Sequence, residues 1–117
     1  MGVYASSSEQ VLLGLLWAVR DVCDNVSEPL LGEIFREFQA RRGLALYGPV
    51  QTPDAAAIHD ELDRDLARLQ ARGMIARSPN PHARVTFLGA PVAASLRLGT
   101  PLDDLITIAR DRLAVAA

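Results

Sequence analysis

Residues 52–88, TPDAAAIHDELDRDLARLQARGMIARSPNPHARVTFL, constrain the fold of this chain more than any other stretch. Thr52 is a helix-capping residue, Pro53 is tolerated at a first helical position, and Asp54 complements the positive end of a helix dipole. Ile58, Leu62, Leu66 and Leu69 follow at helical spacing. At about 100° per residue they occupy an arc of about 80°. The opposite face carries Ala56, Asp60, Arg64, Ala67 and Ala71, and Asp60/Arg64, Glu61/Arg64 and Asp65/Arg68 are spaced to pair. Gly73 ends the helix. Met74, Ile75 and Ala76 open a strand, residues 77–84 form a polar tip stiffened by two prolines, and Val85, Thr86, Phe87 and Leu88 read as the return strand. A capped helix feeding a β-hairpin is the expected centre of the fold.

The flanking sequence is helical. Ser6/Glu9 and Ser7/Gln10 both fit a capping box ahead of a helix over about residues 8–24. Val11, Leu12, Leu15, Leu16, Val19 and Val22 form its stripe, and Leu13 and Trp17 widen it, so more than one neighbour must cover it. Residues 25–27 read as a connection. A second helix follows over residues 28–42, with Ser27 and Pro29 at its start. Leu31, Ile34, Phe35 and Phe38 lie on one face, and Gly43 is the C-cap. Residues 44–51 read as a brief extended or turn segment, with Leu44, Leu46 and Val50 apolar enough for a short strand. After it, a short helix over about residues 91–98 and a last helix to about Val115 are expected, the latter from Leu102, Leu105, Ile106, Ala109 and Leu113. The fold class is mainly α with a small β-hairpin (α+β), in one domain over residues 1–117. Helices and hairpin take about 8–88, and a C-terminal helical extension over about 90–117 offers a dimerisation element. Leu13, Trp17, Leu105, Ile106 and Leu113 are the candidate dimer contacts.

Composition narrows the function. Half of the residues are hydrophobic, which is globular rather than disordered. All twelve basic residues are Arg, and the net charge is −2. Residues 1–40 carry −4, residues 41–84 carry +2, and the rest balance, so positive charge falls on the helix-hairpin region. The single Cys23 can make no internal disulfide and fits a packing role in a reducing compartment. The longest apolar run, residues 11–19, is too short for a membrane span, and no basic residue precedes it as in a secretory signal. No metal-ligand spacing, P-loop or dinucleotide fingerprint is present. The carboxylates Asp60, Glu61, Asp63 and Asp65 read as a solvated helix face rather than an acid/base pair. No enzyme, cofactor or metal is expected.

The block over residues 62–75 resembles the recognition helix and first wing strand of bacterial winged helix-turn-helix proteins. Their pattern L-x-x-x-L-x-x-L-x-x-x-G-x-[IVL] is filled by Leu62, Leu66, Leu69, Gly73 and Ile75. A narrower signature, YGP…EL-x-x-DL-x-x-L-x-x-x-G-x-I, runs through Tyr47, Gly48, Pro49, Glu61, Leu62, Asp65, Leu66, Leu69, Gly73 and Ile75. It is similar to that of winged-helix-like proteins and Panacea-type antitoxin domains. Asp65 lies at the edge of the buried arc and needs a partner, from Tyr47 OH, Arg68 or a backbone N–H. Its favoured reading is structural, orienting residues 44–51, with a binding role as the alternative.

The resemblance implies a winged helix-turn-helix with an additional C-terminal helix, acting as a cytoplasmic prokaryotic homodimer that binds duplex DNA as a transcriptional regulator. The third helix enters the major groove and the wing meets the minor groove or phosphates. Arg64 and Arg68 reach base edges or phosphates, and His59 a base edge. Arg77, Asn80, His82 and Arg84 meet the DNA backbone, and Arg41 and Arg42 add phosphate contacts. Asp60 and Asp63 on the same face oppose this. The competing reading is a protein-interaction module, an adapter or antitoxin-like subunit with a protein partner. A ligand pocket near Trp17, Phe35 and Phe38 is explained better as core packing.

Overall fold

The computed structural model describes residues 3–5, 7–42, 46–47 and 55–116. In chain order the elements are β1 (Val3–Tyr4), α1 (Ser8–Ala18), β2 (Val26–Ser27), α2 (Glu28–Arg42), α3 (Ala55–Ala71), β3 (Ile75–Arg77), β4 (His82–Val85), α4 (Gly89–Ser95), β5 (Leu96–Arg97) and α5 (Asp103–Ala116). Helices dominate. A three-stranded antiparallel sheet, ordered β2-β4-β3, and a parallel pair of β1 with β5 complete an α+β arrangement.

Helix α1 starts where a serine can cap it. Ser7 is in extended backbone, and its hydroxyl accepts from Gln10 N–H at 3.2 Å. Val11, Leu12, Leu13, Gly14, Leu15 and Leu16 are all buried. Consecutive buried positions cannot share one helical face. Accordingly α1 is the central rod, covered by α3, α4, β4 and β5. It stops at Ala18 rather than near residue 24. Val22 and Cys23 N–H both donate to Val19 O at 2.9 Å, closing a turn. Val22 still packs against the core, so the apolar spacing runs past the end of the helix.

That turn delivers Val26 and Ser27 to the hairpin, opposite Ala83 and His82, and Glu28 N–H donates to Pro81 O at 2.8 Å. The third strand therefore comes from before α2. The short strand that the sequence offered at residues 44–51 lies mostly outside the described residues, and Leu46 and Tyr47 there are bends. Two residues are too few for strand periodicity to register. The expected caps at Gly43, Thr52, Pro53 and Asp54 also lie outside the described residues. The return strand is His82–Val85, starting inside the expected tip and ending before Thr86.

Gly73 has φ 76° and ends α3. Met74 N–H donates to Leu69 O and Gly73 N–H to Gln70 O, both at 2.9 Å, the paired bonds of a Schellman motif. The hairpin exit docks on this end. Thr86 N–H donates to Met74 O at 3.0 Å, Thr86 Oγ1 donates to Gly73 O, and Gly89 N–H donates to Thr86 Oγ1 at 3.1 Å. A Cβ on Gly89 would lie 2.0 Å from Met74 O, so only glycine fits.

The segment over residues 90–116 contributes five residues to the core. Ala93, Leu105, Ile108, Ala109 and Leu113 belong to the same cluster as α1, α2 and α3. Of the expected dimer contacts, Leu105 and Leu113 are buried within the chain, Leu13 is buried beneath its surface, and Trp17 and Ile106 are half-buried against the core. Ion pairs rim the α2/α5 contact, with Arg42 to Asp104 at 2.8 Å and Arg112 Nε to Glu37 at 3.0 Å. The hydrogen bond from Arg112 holds the Glu37 carboxyl below its ordinary value. A lowered folded-state value stabilises above the unfolded value and is lost as pH falls through the folded one. Arg112→Gln should therefore flatten the acid limb of the stability profile, read by thermal melts at descending pH.

Gly89→Ala should cost about 1–3 kcal/mol in denaturant unfolding, because the obstructing atoms are backbone. Gly32→Ala should cost less. The atoms nearest its Cβ belong to the His59 ring, a side chain that can swing away, and alanine favours the helix by about 1 kcal/mol.

Candidate nucleic-acid interface

The hairpin is fastened to the helices by one side chain. Arg77 extends from β3 and grips Glu28, the first residue of α2, through Nε at 3.0 Å and Nη2 at 2.7 Å. The same Nη2 donates to Asp63 on α3 at 2.6 Å. Only a planar guanidinium can make this fork. The Arg77 side chain is 20% exposed, and the Glu28 hydrogen bond above all raises its pKa. The expected phosphate contact is thus a buttress between hairpin, α2 and α3.

The hairpin tip is tied within itself. Ser78 N–H donates to His82 O at 3.0 Å, Ser78 Oγ donates to Asn80 O at 2.6 Å, and His82 Nδ1 lies 2.6 Å from the same carbonyl. Asn80 and Arg84 are exposed and His82 is half-buried. On α3, Arg64 and Arg68 are exposed on the side that borders Ser8 and Tyr47. His59 lies over Gly32 and lines a cleft of about 250 Å³ with Glu28, Asp63 and Pro81. Arg64 and Arg84 have no partner among the described residues. The structure therefore places His59, Arg64, Arg68, Asn80, His82 and Arg84 on α3 and the adjoining hairpin.

Arg41 and Arg42 are elsewhere. They sit at the far end of α2, about 20 Å along the helix from Glu28. There Arg41 pairs with Glu37 at 3.1 Å and Arg42 with Asp104 at 2.8 Å.

Behind α3 lies a buried polar cluster. Asp65 Oδ2 accepts from Tyr47 OH and from Ser8 Oγ, each at 2.7 Å, while Arg68 lies 3.5 Å from Oδ1. Tyr47 is fully buried, edge-on to Phe35 with ring centroids 4.9 Å apart. Burial, with the Asp65 carboxylate adding to it, raises the pKa of the phenol. Gln39 holds the backbone beneath: its Oε1 accepts from Leu46 N–H at 2.9 Å and Tyr47 N–H at 2.6 Å, and its Nε2 donates to Tyr47 O at 2.6 Å. Sequence reasoning missed Gln39, Ser8 and Glu28. Gln39 had a signal, since it stands four residues after Phe35, where the apolar face of α2 continues. Ser8 and Glu28 read only as first-turn residues.

Phe87 and Leu88 were also misread. They lie on the turn after β4, 92% and 68% exposed, not in a strand. Two adjacent apolar residues were the signal, because a half-buried strand turns one of any neighbouring pair outward.

Among the described residues no group of three or more His, Cys, Asp or Glu is placed to hold a metal ion, and no helix is long and apolar enough to cross a membrane. No family model, curated protein or solved structure matches this chain.

Tyr47→Phe removes a buried hydrogen bond to a carboxylate and should lower unfolding free energy by about 1.5–3 kcal/mol. Arg68→Ala breaks a longer, solvent-facing contact and should cost under about 1 kcal/mol. Equal losses in chemical denaturation would contradict this ranking.

Proposed function

We propose that the chain is a winged-helix domain with an additional C-terminal helix, and that it binds duplex DNA through the exposed face of α3 and the hairpin. The order of helices followed by a hairpin supports the fold reading. So do the third strand taken from between α1 and α2 and the glycine exit from α3. One observation carries the functional reading: Arg64 on α3 and Arg84 on β4, the strand paired with β3, are both exposed, with no carboxylate engaging either among the described residues. Arg68 on α3, with Asn80 and His82 at the hairpin tip, supplies further polar contacts. Arg77 orients the hairpin and makes no phosphate contact.

Electrostatics then set the strength of binding. Each phosphate neutralised contributes about −0.9 to the slope of log affinity against log salt, so Arg64, Arg68 and Arg84 give a slope of about −3. Fluorescence anisotropy with labelled genomic duplexes, titrated across salt, reads this directly. Arg64→Ala with Arg84→Ala should weaken binding and reduce the slope by about 2. Asp63→Asn, which removes an acid from the face and loosens Arg77, should strengthen it. Absence of any salt-dependent duplex binding, or binding indifferent to the double substitution, overturns the proposal.

A second reading rests on Asp60 and Asp63, exposed acids on the same helix face. They favour a basic protein surface over a phosphate backbone, as an adapter or antitoxin-like subunit would use. On that reading Asp63→Asn weakens capture of the partner, and duplex DNA gives no signal.

A further inference from the structure

The turn between β4 and α4 presents the largest apolar side chains on the described surface. Phe87 is 92% exposed and Leu88 68%, and Val92, one helical turn into α4, is 39% exposed. This is a rigid feature. Thr86 is bonded at both backbone and side chain to the end of α3, and Gly89 is pressed against Met74 O. Exposed apolar side chains held in a fixed cluster mark an interaction site more often than scattered ones do.

Beside the cluster is a hollow of about 180 Å³ floored by Leu13, Leu69, Met74 and Leu96, with Val92 as the wall it shares with the cluster. Arg72 and Glu9 form an ion pair on its rim, and Ser7 and Gln10 complete that rim. One surface thus carries a projecting aromatic and, next to it, an apolar recess to receive one.

We infer that this surface is a two-fold interface between two copies of the chain, with Phe87 of each copy seated in the Leu13–Met74–Leu96 recess of the other. Three observations select a second copy over another protein. The surface is self-complementary, as a two-fold contact requires, because the same patch must meet itself. Its rim charges balance, Glu9 against Arg72, so bringing the surface against itself sets no net like charge together. The apolar area matches a weak self-contact. A fully exposed aromatic offers about 200 Å². With Leu88, Val92 and the recess walls, the apolar part reaches on the order of 500 Å² per copy, against about 800 Å² per partner in a standard interface. The polar rim supplies the remainder, and the small apolar centre makes the dimer weak and concentration-dependent. The inference goes beyond the DNA reading and does not rest on it.

Sedimentation velocity of the full chain without DNA, from low-micromolar to near-millimolar concentration, tests it. The weight-average mass should rise toward twice that of the monomer. Phe87→Glu should hold it at the monomer value with an unchanged melting temperature, since this side chain touches little of its own fold. Val115→Glu, equally exposed but on α5, should leave association unchanged. In a Cys23→Ser background, mixing Phe87→Cys protein with Gln10→Cys protein should form the mixed disulfide in excess over either self-disulfide. A monomer at every concentration, a dimer that survives Phe87→Glu, or one dissociated by Val115→Glu overturns the inference.

Discussion

A single buried carboxylate, Asp65, ties the helical part of this structure together. It sits on the inner edge of α3 and accepts hydrogen bonds from the first residue of α1 and from Tyr47 between α2 and α3. A buried carboxylate without such donors would be strongly destabilising, so the three segments are held in one relative placement by the need to satisfy it. Gln39 does the same for the backbone at Leu46 and Tyr47, where no regular ladder exists. Among the described residues no buried side-chain nitrogen or oxygen lacks a partner. The polar cluster is complete, and it positions α3 from behind.

Arginine is spent largely on the fold. Arg77 joins hairpin to helices, Arg72 joins the end of α3 to α1, Arg110 reaches Asp21 and Arg112 reaches Glu37. Most of these pairs are exposed and individually weak. The forked, mostly buried Arg77 contact is the exception, because its geometry is fixed and its acceptors are two carboxylates. The consequence reaches function. The surplus of positive charge over residues 41–84 does not translate into a basic surface, since much of it is cancelled locally. What remains outward on α3 and β4 is a small set of side chains, Arg64 and Arg84 chief among them, beside the acids Asp60 and Asp63.

Much of the fold was legible because local rules and tertiary packing agree. The Leu31–Ile34–Phe35–Phe38 spacing marked α2 to its end residues, the Leu62–Leu66–Leu69 stripe with Gly73 marked the exit from α3, and Ser7 marked the start of α1. Asp65 stood out because a carboxylate at the edge of an apolar arc needs donors. The candidate interface was legible only as a list of side chains. Which arginines face outward depends on carboxylates far away in sequence, such as Glu28 for Arg77 and Asp104 for Arg42. No spacing rule connects those pairs.

The amino-acid sequence by itself determined the helices, the glycine-ended α3 and the presence of a hairpin, because each follows from residue types within a turn or two of one another. Only the tertiary structure decided that Val26 and Ser27 supply the third strand, that the apolar stripe of α5 closes the core, and that Phe87 and Leu88 stand outside it. These outcomes depend on which surfaces find each other after the chain collapses, and apolar periodicity reports that a face is buried without saying against what. Residues 52–88 remain the organising stretch. Its Arg77 proves to be an internal anchor, and its last two residues, read first as strand, become the most exposed apolar surface described.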